Sequence, residues 1–97
     1  MRTTSCFIAA TVLAWTGAAT AADAPPGASS CSGCHSTGAS VQTPVPRLIG
    51  RPAAEIVAAM QGFRTGQRPG TVMDRIAKGF SEAETVALAA WYAAQRD

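Results

Sequence analysis

A chain of 97 residues, 47% of them hydrophobic, has room for one small domain and a modest core. Three cysteines and one histidine leave no second ligand pair for a zinc site and no disulfide framework. The formal charge of +2 is small, so the distribution of charge along the chain says more than its sum.

Residues 1–21 read as a secretory signal peptide. Met1-Arg2 is a positive start, Cys6 to Trp15 is apolar, and Ala19-Thr20-Ala21 is a small-x-small cleavage site. The apolar run is too short to span a bilayer. Cys6 opens that run instead of following it, which argues against a lipidated cysteine. Cleavage after Ala21 leaves residues 22–97 as one domain, with Ala22-Asp23-Ala24 as a second possible site. The mature chain is then expected to be soluble, periplasmic and out of reach of nucleic acid.

Asp23 to Ser30 is rich in Ala, Pro and Ser and reads as a lead-in to a short helix carrying Cys31-Ser32-Gly33-Cys34-His35. This C-x-x-C-H run reads as covalent attachment of one c-type haem. Cysteines three apart lie on one face of a helical turn, so both sulfurs can form thioethers to one porphyrin. His35 follows as an axial ligand to the iron, and the small Ser32 and Gly33 let the macrocycle approach the backbone. A redox disulfide is the rival reading of a bare C-x-x-C, but it calls for a βαβ pattern that the chain lacks. With so small a core, a covalent haem is expected to supply much of the apolar contact that folds the chain.

Ser36 to Arg51 is polar, broken by Pro44 and Pro46, and reads as a loop along one side of the haem. One of those prolines is placed to hold the His35 imidazole through its carbonyl. Pro52 suits the first residue of a helix, and Ile56, Val57, Met60 and Phe63 recur at helical spacing until Gly66 stops it. After a turn at 66–70, Thr71 to Phe80 reads as a loop. Ser81-Glu82-Ala83-Glu84 is a capping box opening a last helix, to about Gln95, with Val86, Leu88, Ala90 and Trp91 as its apolar face. No strand signal appears, so the fold is expected to be all-α, with three to four helices around the haem.

No second histidine can take the iron's other face, which leaves Met60, Met73 and Lys78. Met60 falls within an amphipathic stripe, where methionine usually fills core. Met73 lies in a loop that can carry its thioether to the iron, and is the expected sixth ligand. Between Arg47 and Phe80 six cations face only Glu55 and Asp74, and this positive middle suggests an acidic docking partner.

With Cys31 to His35, Pro46-Arg47-Leu48-Ile49-Gly50, Met73 and the Trp91-Tyr92 pair, the chain resembles a class I cytochrome c. That resemblance implies an N-terminal helix crossing the C-terminal one at Trp91, and again implies Met73 as sixth ligand. Met60 to Gly66 and Thr71 to Ser81 resemble, more narrowly, the cytochrome subunit of flavocytochrome c sulfide dehydrogenase, in which a FAD-containing subunit oxidises sulfide. Well-known members carry two haem domains, and this chain has one C-x-x-C-H.

The resemblance implies an electron-transfer subunit with no catalytic residues of its own. It would accept electrons from a FAD-containing flavoprotein and pass them to another cytochrome. The alternatives are a free-standing soluble carrier and, from a different class, a haem-based sensor or ligand-binding module with a displaceable sixth ligand.

Overall fold

The computed structural model describes residues 22–96, so the leader, residues 1–21, lies outside the described residues. Four helices follow in order: α1 (Ala28–Ser32), α2 (Ala53–Thr65), α3 (Met73–Ile76), continued by a 3-10 turn (Ala77–Gly79), and α4 (Glu82–Ala94). The all-α expectation holds, with no strand among the described residues. Nor is any described helix long and apolar enough to cross a membrane.

Helix α1 is shorter than its sequence suggests. It stops at Ser32, and the amides of Cys34 and His35 both donate to the Cys31 carbonyl, at 3.2 and 2.9 Å. Cys31 therefore sits in the helix, whereas Cys34 and His35 sit on the tight turn leaving it. Pro52 caps α2 from outside: its carbonyl accepts from the amides of Glu55 and Ile56 at 3.0 and 3.3 Å. Gly66 ends α2 with φ 78°, the left-handed stop that glycine makes without strain.

Thr71 to Phe80, expected as a loop, contains α3 and the 3-10 turn. A single turn of helix is too short to show an apolar period. What forms it is local: Arg75 and Ile76 amides donate to the Val72 carbonyl at 3.0 and 3.1 Å, and Asp74 Oδ1 accepts from the Arg75 amide at 3.0 Å. An acid in the first turn also suits the helix dipole.

Ser81 caps α4 as its sequence predicts, its hydroxyl accepting from the Glu84 amide at 3.1 Å. The buried face of α4 is different from the expected one. Thr85, Leu88, Ala89 and Tyr92 are buried, while Val86 is 50% exposed, Ala90 is exposed and Trp91 is half-buried. An alanine-rich helix has apolar residues on every side, which masks its true stripe. Thr85 fits inside because its hydroxyl donates to the Ser81 carbonyl at 2.9 Å.

Ala28, Ile56, Leu88, Ala89 and Tyr92 form the core, with Cys31, Leu48, Ile49, Phe80 and Trp91 packed against it. Helices α1 and α4 do meet, as the resemblance implies, and the hydrogen bond that joins them is made by Tyr92, with Trp91 packed against the same core. The Tyr92 hydroxyl donates to the Ala28 carbonyl at 2.5 Å, and its own carbonyl accepts from the Gly50 amide at 3.1 Å. Trp91 packs edge-on against Tyr92, 4.9 Å between ring centres, and donates to the Ala22 carbonyl at 3.2 Å.

Gly27, just before α1, has φ 90°, and a Cβ there would come within 2.6 Å of the Phe80 ring. Gly27→Ala should therefore combine left-handed strain with overpacking and destabilise the protein by about 1–3 kcal/mol. Guanidinium unfolding followed by helical circular dichroism measures the difference; an unchanged midpoint would show that Phe80 moves aside freely.

Candidate functional site

The loop before α2, α2 itself, the 67–73 segment and α4 enclose a cavity of about 980 Å³, at the upper end of the range of about 300–1,000 Å³ seen for ligand sites. Cys31, Cys34 and His35 line it, and so do Met60, Phe63 and Met73. The four residues expected to hold a haem thus come to one cavity from two separate parts of the chain. Met60 comes to it as well, because α2 turns its Ile56, Ala59, Met60 and Phe63 face toward the same space. Lys78, the third candidate for sixth ligand, is exposed on the 3-10 turn and is not part of the wall.

The turn after α1 explains how the attachment residues sit. Ending the helix at Ser32 leaves Cys31 half-buried, its thiol donating to the Gly27 carbonyl at 3.6 Å, and Cys34 exposed at the cavity wall. Burial raises the pKa of the Cys31 thiol against the opposing effect of hydrogen bonds from the backbone and from Tyr92. Among the described residues no group of three or more His, Cys, Asp and Glu side chains is placed to hold a metal ion between them.

His35 Nδ1 lies 2.5 Å from the Pro46 carbonyl oxygen. A carbonyl only accepts, so Nδ1 carries the proton and donates it, and Nε2 is left as the basic nitrogen. Of the two prolines suggested by position, Pro46 is the partner. This bond fixes both the tautomer and the ring orientation, as outer partners of ligating histidines do. The Pro46 segment is in turn anchored: Arg47 donates to the Thr37 carbonyl at 3.0 Å, and Arg51 Nε to the Arg47 carbonyl at 2.9 Å.

Sequence reasoning missed Arg51, Glu55, Phe80 and Tyr92, all of which line the cavity. Tyr92 could have been found from the Thr85, Leu88, Ala89, Tyr92 period; the charged pair carries no signal in the sequence. The positive middle also divides in space. Arg47 and Arg51 brace the loop, Arg68 lies over the Phe63 ring at 5.1 Å, and Arg64 lines a separate cleft of about 320 Å³ between α2 and α4 with Glu82.

No family model matches the chain. It is 38% identical over 82 residues to the thiosulfate dehydrogenase electron acceptor of Thiomonas intermedia, covering 82% of this chain and 38% of that protein. It is 35% identical over 63 residues to the cytochrome subunit of sulfide dehydrogenase of Chlorobaculum tepidum, covering 65% of this chain and 57% of that protein. The resemblance to a sulfide dehydrogenase cytochrome is thereby shown. The chain spans well under two thirds of the length of either relative.

The Chlorobaculum relative is named a cytochrome, a class that binds haem, and the residues lining this cavity fit that group. Its wall is largely apolar, two thiols three residues apart line it, and so do a histidine whose Nδ1 is engaged by Pro46 and the side chains of Met60 and Met73. Tyr92 holds the attachment helix in register with the rest. Burial raises its pKa, with a smaller contribution from repulsion by a Cys31 thiolate that a thioether would abolish. A raised acid pKa means that the buried phenol stays protonated where the unfolded chain ionises. Its stabilisation is therefore complete below pH about 10 and is lost as pH rises past it. Tyr92→Phe should cost about 0.5–1.5 kcal/mol by removing the bond to the Ala28 carbonyl, and should flatten the alkaline loss of stability. Unfolding free energies measured from pH 7 to 11 on both proteins decide this; parallel curves would show that the phenol does not govern the alkaline limb.

Proposed function

We propose that the chain carries one haem c, bound covalently through Cys31 and Cys34 with His35 and Met73 as axial ligands, and serves as a periplasmic electron-transfer subunit. Its electron donor in this reading is a FAD-containing sulfide dehydrogenase subunit, and its acceptor another cytochrome. The observation that carries the reading is the His35 Nδ1 to Pro46 bond, at 2.5 Å, beside both thiols in one cavity. It gives the histidine the tautomer and orientation of a ligand, a role that an ordinary core histidine does not need.

Met73 is favoured over Met60 by where each is anchored. Met60 lies in the middle of the thirteen-residue α2 and moves only with it. Met73 begins the four-residue α3, directly after Gly70-Thr71-Val72, and can be adjusted by that short segment. A His/Met-ligated haem exchanges single electrons at a raised potential with no open coordination position. The residues of this chain accordingly orient, bury and insulate; none of them is asked to do bond chemistry. The leader supports export, which covalent haem attachment requires, and the Chlorobaculum relative supports the sulfide dehydrogenase partner. A second reading, a diffusing soluble carrier, is supported by the Thiomonas relative, which is named as an electron acceptor.

Met73→Ala should keep the haem attached but convert a low-spin spectrum to one that is high-spin or carries a substitute ligand, with loss of the thioether-to-iron charge-transfer band. Met60→Leu should retain that band, because volume-conserving core swaps usually cost under about 1.5 kcal/mol. The opposite pattern would assign the sixth position to Met60, and carbon monoxide binding to the reduced wild-type protein would favour a sensor. Co-purification of the untagged protein with a flavin-containing subunit separates the subunit from the free carrier.

A further inference from the structure

The bond from His35 Nδ1 to the Pro46 carbonyl ends on a stretch that cannot lock itself. Pro44 and Pro46 carry no N–H, so the chain before Arg47 lacks two of the amides that would otherwise tie a loop down. Side chains tie it instead. Arg47 donates to the carbonyl of Thr37, two residues beyond His35, at 3.0 Å, which joins the two ends of the loop. Arg51 Nε donates to the Arg47 carbonyl at 2.9 Å, and the Arg51 amide donates to the Leu48 carbonyl at 3.1 Å. Gly50, at φ 74°, makes the left-handed turn between the two arginines. The carbonyl that Arg51 grips is the next one along from that of Pro46. Only the φ and ψ of Arg47 separate the two peptide planes, so fixing one limits the other.

We propose that Arg51 is a positioning residue for His35: by fixing the Arg47 carbonyl it keeps the Pro46 carbonyl on Nδ1, and so sets how strongly Nε2 binds iron. The proposal rests on the haem reading above and adds a residue to it. An acceptor held on Nδ1–H makes the imidazole a stronger donor to the metal and favours ferric iron, whereas a loosened acceptor favours the reduced state. The donor is Nε and not a terminal nitrogen, and this decides which side chains can replace it. Counting from Cα, glutamine places its amide nitrogen where arginine has Nε, whereas lysine places a methylene there. Glutamine therefore keeps the donor and loses the charge; lysine keeps the charge and loses the donor.

The test uses the mature haem-loaded protein, isotopically labelled and in its ferrous state, and reads exchange of the His35 Nδ1 proton with water by NMR. Arg51→Lys should exchange about tenfold faster than wild type, as loss of one hydrogen bond allows, and should have a higher reduction potential. Arg51→Gln should keep the wild-type exchange rate. The reverse pattern, with lysine equivalent to arginine and glutamine fast, would make Arg51 a charge alone and overturn the proposal. Wild-type exchange in both variants, or equally fast exchange in both, would overturn it too. Should Arg51→Lys fail to accumulate, Arg51→Gln decides alone: slow exchange supports the brace and fast exchange overturns it. A His35 resonance without the ring-current shift of a bound haem would sink the haem reading, while the exchange rates would still decide the brace.

Discussion

Tyr92 is the point through which the parts of this small fold are held together. Its hydroxyl holds the Ala28 carbonyl of α1, its carbonyl accepts from Gly50 at the end of the long loop, and its ring packs on Trp91 within α4. Among the described residues it is the largest side chain that is almost completely buried. Because a lone buried hydroxyl or carbonyl costs about 1–3 kcal/mol, the Tyr92 to Ala28 bond constrains where α1 can lie. The thiols leave α1 and its following turn, and the loop that Gly50 ends carries Pro46. One residue of α4 therefore positions both the attachment turn and the segment that orients His35.

The rest of the architecture follows from a shortage of core. The buried apolar residues are few and several are alanines, whereas the larger Leu48, Met60, Phe63, Met73 and Phe80 border the cavity. A chain of this size has little apolar surface to distribute. Here most of it is turned toward a single site, so the side chains that would hold a cofactor and those that hold the fold are largely the same ones.

Much of this was legible from local chemistry. The Ser81 to Glu84 cap and the Gly66 end of α2 depend on residues close in sequence and appear where expected, whereas Pro52 falls one residue outside α2 and α1 stops at Ser32, short of Cys34 and His35. What escaped depended on distance or on brevity. Helix α3 is a single turn without a period. Alanines around the whole of α4 hide its buried face, so Tyr92, read only as the partner of Trp91, gives no sign of its burial. The choice of Pro46 over Pro44 needed the path of a loop that no periodicity describes. The basic middle read as one patch, but folding sends Arg64 to another cleft and ties Arg47 and Arg51 to the loop backbone.

The central claim is that Cys31 and Cys34 attach one haem in this cavity. Intact mass of the purified, denatured chain after treatment with a thiol alkylator tests it most directly. The account predicts a mass increase of one haem and no alkylation at Cys31 or Cys34. A chain of unmodified mass whose two motif thiols both alkylate, isolated from cells that mature other c-type cytochromes, would contradict it.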